Sequence, residues 1–99
     1  MEHPKTIIWS TQANMDLLDA LDFIQKNWNT KITGKFLNGI EKKVSLIQKF
    51  PFIGISVRYP KNCRKILVQP YHLLFYRVTS EHIEIIRLFD GRQNLELLK

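Results

Sequence analysis

The sequence predicts a single α+β domain, residues 1–99, in which an antiparallel sheet packs against one helical hairpin. Three observations predict it. Two stretches, about 11–28 and 31–49, place apolar residues at helical spacing. After residue 63 the pattern changes to short runs of β-branched and aromatic residues separated by turn signals. A further short run of that kind, Thr6–Trp9, precedes the first helix. The order is therefore β-α-α-β-β-β.

Each element follows from its residues. Ser10 or Thr11 can accept a hydrogen bond from a free N–H of the first helical turn. Leu17, Leu21, Ile24 and Trp28 then mark one helix face, widened by Leu18 and Ala20. Asp16, Asp19 and Asp22 lie away from that stripe and read as a solvated acidic face, since no histidine adjoins them to complete a metal site. Asn29-Thr30 is a turn and a new cap. Ile32, Phe36, Ile40, Val44 and Ile47 form the second stripe, which Pro51 ends.

The strands follow. Arg64–Val68, Leu73–Val78 and His82–Phe89 are joined by turns at Gln69-Pro70 and Thr79–Glu81, and short links favour an antiparallel meander. In the last strand, alternation sets Ile83, Ile85 and Phe89 on one face and Ile86 and Leu88 on the other. One hairpin covers one face only. The second needs a cover: a C-terminal turn at Leu95, Leu97 and Leu98, a partner protein, or a second copy.

Composition narrows the function classes. With 44% hydrophobic and 24% charged residues the chain is globular. No apolar run approaches the roughly 18 residues of a membrane span, and no apolar signal region opens the sequence, so a cytoplasmic location without membrane contact is expected. Cys63 is the only cysteine, and His3, His72 and His82 are scattered, which argues against a metal site. No glycine-rich phosphate loop occurs, so no cofactor is expected. Cys63 would act as a nucleophile only if folding brought a histidine such as His72 beside it.

Charge is unevenly spread. Residues 31–65 hold nine lysines and arginines against one glutamate, within a net charge of +6 for the whole chain. Such a pole attracts nucleic acid or an acidic protein, or serves only as a solvated helix face. Arg58, Lys61, Arg64 and Lys65 form a candidate phosphate-facing patch, with Arg92 just beyond the last strand. RNA cleavage through the 2′-OH also needs an acid and a base, for which the sequence offers no evident pair.

The ordered set of Trp9-Ser10, Leu17-Leu18-Leu21-Ile24, Phe36, Ile40, Ile47, Phe50-Pro51-Phe52-Ile53-Gly54, Arg64–Val68, Tyr71–Val78 and Ile83–Asn94 resembles the RelE/ParE superfamily of type II toxins across nearly the whole chain. That resemblance implies a toxin neutralised by an antitoxin that wraps it with a helix and an extended segment. RelE-like members cut mRNA on the ribosome; ParE-like members poison DNA gyrase. The nuclease pattern implies cationic roles for Arg64 and Arg92 and a tyrosine or histidine close to the C-terminus. The ending Leu95-Glu96-Leu97-Leu98-Lys99 has neither, and Asp90 stands where a histidine often precedes the glycine. The ParE-like branch is therefore favoured, acting by protein contact, with mRNA cleavage or an inactive binding module as alternatives. The implied binding residues are Arg58, Lys61, Arg64, Lys65, Tyr76, Arg87 and Arg92, and a homodimer is expected when no antitoxin is present. For Arg92 three roles stay open: a binding surface, a reduced cleavage residue, or a strand cap paired with Asp90 or the C-terminal carboxylate.

Overall fold

The computed structural model describes residues 5–92. In chain order its elements are β1 (Thr6–Trp9), α1 (Thr11–Asn27), α2 (Thr30–Lys49), β2 (Ile55–Val57), β3 (Cys63–Val68), β4 (His72–Val78) and β5 (His82–Asp90). The strands form one sheet in the order β1-β5-β4-β3-β2. The α+β class and the meander of β3, β4 and β5 are as the sequence predicts. Two features differ. A short β2 adds a fifth strand antiparallel to β3. The sheet is also mixed, because β1 pairs parallel with β5: the chain must cross over through both helices before it returns beside β1.

Both helix starts carry the side chains the sequence provides. Ser10 Oγ accepts from Ala13 N at 3.0 Å, and Asn29 Oδ1 accepts from Ile32 N at 3.0 Å. Each such cap is worth about 1 kcal/mol. The hairpin buries Ala13, Ile24, Phe36, Ile40 and Ile47 against Val68, Leu74, Tyr76, Ile83, Ile85 and Leu88. Trp28 is not part of this core: it sits at the end of α1 and is 62% exposed.

Two expectations about faces are corrected. The pairing between β4 and β5 runs Tyr76↔Ile85 and then Phe75↔Arg87, so Ile86 is bulged. A bulge inserts one residue and reverses the alternation beyond it. Leu88 consequently joins Ile83 and Ile85 in the core, while Phe89 lies on the outer face beside Phe75, the rings edge-on at 5.7 Å.

Asp16 is the second correction, because it does not lie on a solvated face. β1 stops at Trp9 opposite Ile85, which leaves the next residues of β5 without a neighbouring strand. The start of α1 takes its place. Ser10 N donates to Ile85 O at 2.9 Å, Ser10 Oγ donates to Ile86 O at 2.9 Å, and Leu88 N donates to Asp16 Oδ2 at 2.9 Å. Backbone groups that a missing strand would leave unpaired are thereby satisfied.

On the outer face Phe75 and Cys63 are almost fully buried, yet Ile8, Ile55 and Leu67 stay exposed. Leu95, Leu97 and Leu98, the C-terminal residues expected to cover part of this face, lie outside the described residues. No helix among the described residues is long and apolar enough to cross a membrane.

Candidate functional site

The seven residues expected to form one binding surface lie in three places. Arg64 and Tyr76 face the helices as opposite partners on β3 and β4. Tyr76 is fully buried. Its hydroxyl donates to Pro51 O at 2.8 Å and accepts from Gly54 N at 2.8 Å. Gly54 is required there, since a Cβ would stand 2.6 Å from that hydroxyl and 2.9 Å from Lys65 O. Arg64 Nη1 donates to Gly54 O at 2.8 Å and Phe52 O at 3.2 Å, and its guanidinium lies 5.0 Å from the Phe52 ring. Burial raises the Tyr76 pKa, against smaller lowering effects of the Gly54 hydrogen bond and Arg64. Tyr76 is thus a neutral clamp on the turn that follows α2 rather than a surface group.

Arg92 stands at the far end of the sheet. Its Nη2 donates to Asp90 Oδ2 at 2.9 Å and its Nε to Asp90 Oδ1 at 3.2 Å. The same carboxylate accepts from Arg92 N at 2.8 Å, closing the turn. The guanidinium covers the Tyr71 ring, 3.6 Å from its centre. The pairing with Asp90, one of the three roles left open, is present in the structure. The Arg92 hydrogen bond holds Asp90 below the usual carboxylate range despite an opposing effect of burial.

Behind this pair sits His72, opposite Asp90 in the strand register. It is buried between Tyr71, stacked at 5.3 Å, and Phe36, tilted at 4.7 Å. Its Nδ1 has no hydrogen-bond partner among the described residues. Burial lowers its pKa, with Asp90 opposing and Arg92 adding to the effect. A concavity of about 490 Å³ beside it is lined by Asp16, Asp19, His72, Arg87 and Asp90. Cys63 is remote from His72: it starts β3, five residues from Val68, the register partner of His72, and lies on the outer face. Burial raises the Cys63 pKa, against Arg77. No nucleophile–base pair forms there.

The third place is the outer sheet face. Arg87 lies 4.3 Å over the Phe89 ring and is held by Asp16, with Nε to Oδ2 at 2.8 Å. Arg58 and Lys65 border an open concavity of about 570 Å³ with Phe75, Tyr59, Ile55 and Val57. Lys61 is exposed nearby, its carbonyl accepting from Arg77 Nη2 at 3.3 Å. Sequence reasoning missed Asp16 as the partner of Arg87 and Tyr71 as the ring under Arg92. Asp90, two residues from Arg92, was among the partners it offered. No group of histidine, cysteine and carboxylate side chains among the described residues could hold a metal ion.

Comparison with known proteins now gives this geometry a context. Residues 7–95 match the family model described as the ParE toxin of the type II toxin–antitoxin system, parDE. Solved structures share the fold. A chain of the chromosomal ParDE system from P. aeruginosa has a TM-score of 0.75 at 20% identity, over 90% of this chain and 98% of that one. The YoeB dimer from Staphylococcus aureus gives 0.60 at 21% identity, over 86% and 94%. The E. coli DinJ–YafQ toxin–antitoxin complex gives 0.58 at 17%, over 89% and 93%. No curated protein matches by sequence. With the family model spanning both helices and every strand but the first residue of β1, the chain belongs to the ParE toxin family of type II toxin–antitoxin systems.

Proposed function

We propose that this toxin acts by protein contact, with DNA gyrase as the target the family implies, and that a cognate acidic antitoxin neutralises it. One observation carries the choice over RNA cleavage. The cationic groups a nuclease site would need are already engaged in the fold: Arg64 by two carbonyls and Arg92 by Asp90. Cationic stabilisation of a developing phosphorane needs donors free to meet it.

The outer sheet face suits protein contact better. Ile8 and Leu67 are exposed there, Leu73 and Phe89 are half-buried, and Arg87 lies at the rim. Apolar surface bordered by cations fits an amphipathic acidic partner. The pairing of toxin with antitoxin in the names of the P. aeruginosa and E. coli relatives supports such a partner, and the S. aureus dimer supports self-association in its absence.

The test is a supercoiling assay with purified gyrase, ATP and relaxed plasmid. Loss of supercoiling with accumulation of cleaved plasmid, reversed by antitoxin, is the expected result. Undisturbed supercoiling, together with cleavage of mRNA in a translating extract, contradicts the proposal.

A further inference from the structure

The segment from Lys49 to Lys65 has properties that protein contact on the sheet face does not use. It contains five cations, Lys49, Arg58, Lys61, Arg64 and Lys65, and no acid. None of the five forms an ion pair among the described residues, whereas Lys26, Arg77, Arg87 and Arg92 all do. Three aromatic rings stand in the same segment and are more than half exposed: Phe50, Phe52 and Tyr59. Apolar rings are normally withdrawn from water, and here two carry a cation above them, Lys49 over Phe50 at 5.8 Å and Arg64 over Phe52 at 5.0 Å.

The segment folds around one edge of the sheet. β2 is the edge strand. Lys65 and Arg64 are its register neighbours on β3, facing opposite sides. On the outer side, Arg58, Tyr59 and Lys65 ring the 570 Å³ concavity floored by Phe75. On the other, Arg64 fixes the turn that presents Phe52. Rings and cations therefore alternate around the edge, which is the arrangement that takes bases by stacking and phosphates by charge. A duplex hides its base faces and offers nothing to the rings.

We infer that the β2 edge binds single-stranded nucleic acid without cutting it, with bases stacking on Tyr59 and Phe52 and phosphates meeting Arg58, Lys61 and Lys65. The segment supplies no carboxylate and no histidine to act as a general base on a 2′-OH; beside its cations it holds only the phenol of Tyr59 and the buried thiol of Cys63, whose pKa burial raises. A purely acidic segment would satisfy the cations and leave the rings exposed, whereas a nucleotide strand offers each cation a phosphate and each ring a base.

The experiment is fluorescence anisotropy of a labelled oligothymidylate of about 12 nucleotides, a length that matches the usual single-strand footprint. Saturable binding is expected, with log K falling against log salt at a slope of about −2 to −3, the value for three or four phosphates. Tyr59→Ala and Phe52→Ala should each weaken binding by about tenfold or more, as loss of one stacked base does. Tyr59→Trp should retain it, which separates stacking from misfolding. The pair Lys31→Glu and Lys42→Glu, on α2, should leave it within about twofold. The inference is overturned by any of four results: no binding at about 100 μM protein, where even non-specific association is measurable; equal affinity for duplex; equal weakening by the α2 charge reversals; or displacement by polyglutamate with no effect of Tyr59→Ala, which would mark an acidic-protein dock. Because the readout is direct binding, it is independent of the gyrase assay, and either proposal can fail while the other stands.

Discussion

Asp16 and Arg87 meet with Nε to Oδ2 at 2.8 Å, and the same oxygen accepts from Leu88 N at 2.9 Å. One carboxylate on α1 thus ties the helix to the open edge of β5 just beyond its bulge. The Asp16 side chain is only 10% exposed. Asp16→Asn should cost about 1.5–3 kcal/mol, the range for a hydrogen bond to a charged group. Burial raises the Asp16 pKa, but the bonds from Arg87, Leu88 and Gln12 outweigh it and the net shift is downward. A depressed folded pKa gives stability that is present above the unfolded value of about 3.9 and lost as pH falls through the folded one. Urea unfolding should therefore separate wild type from Asp16→Asn at neutral pH. The difference should shrink below about pH 3.

The clamp between Tyr76 and Gly54 gives a second expectation. Tyr76→Phe leaves Gly54 N and Pro51 O in a buried site without their partner and should cost about 1–3 kcal/mol. Gly54→Ala forces a methyl against the same hydroxyl and against Lys65 O, a backbone atom that cannot rotate away. It should cost at least as much. Because both changes act on one contact, the double variant should be less unstable than the sum, a non-additivity that denaturant titration of all four proteins measures.

His72 predicts a different pH dependence. Burial lowers its pKa below the ordinary 6.5, so the folded protein resists protonating it. The unfolded chain then binds the proton more readily, and stability falls as pH drops from about 6.5 through the folded value. His72→Phe, which removes the unpartnered Nδ1 and keeps an aromatic ring against Phe36 and Tyr71, should flatten thermal stability between about pH 7 and pH 5. A wild-type melting temperature constant over that interval contradicts the assignment.

How much of this was legible in the sequence depends on what each residue's position responds to. The helix stripes through Phe36, Ile40 and Ile47 are local periodicity, and they bury as read. The caps at Ser10 and Asn29 are equally local. The face of Phe89 was not legible, because the bulge at Ile86 coincides with bonds from Ser10 and Asp16, more than 70 positions away. Three aspartates at helical spacing look alike in sequence; only the placement of β5 picks out Asp16. The parallel pairing of β1 depends on sheet order, on which the residues of Thr6–Trp9 are silent. For the candidate site, the basic character of residues 58–65 was legible as composition. The pairing of Arg92 with Asp90 was legible as one option, because the two stand in one turn; that Arg64 and Arg87 are each held was not, since their partners are carbonyls and a carboxylate placed by the tertiary fold.

The central claim, toxicity by protein contact rather than RNA chemistry, is tested most directly by inducing the protein in bacteria without its antitoxin. A DNA-damage reporter and the integrity of total mRNA are followed in the same culture. Growth arrest with the reporter on and transcripts intact is the predicted result, and Arg64→Ala should produce no change in transcript integrity. Growth arrest with fragmented transcripts, abolished by Arg64→Ala or Arg92→Ala in stably folded protein, would contradict it and make those arginines catalytic.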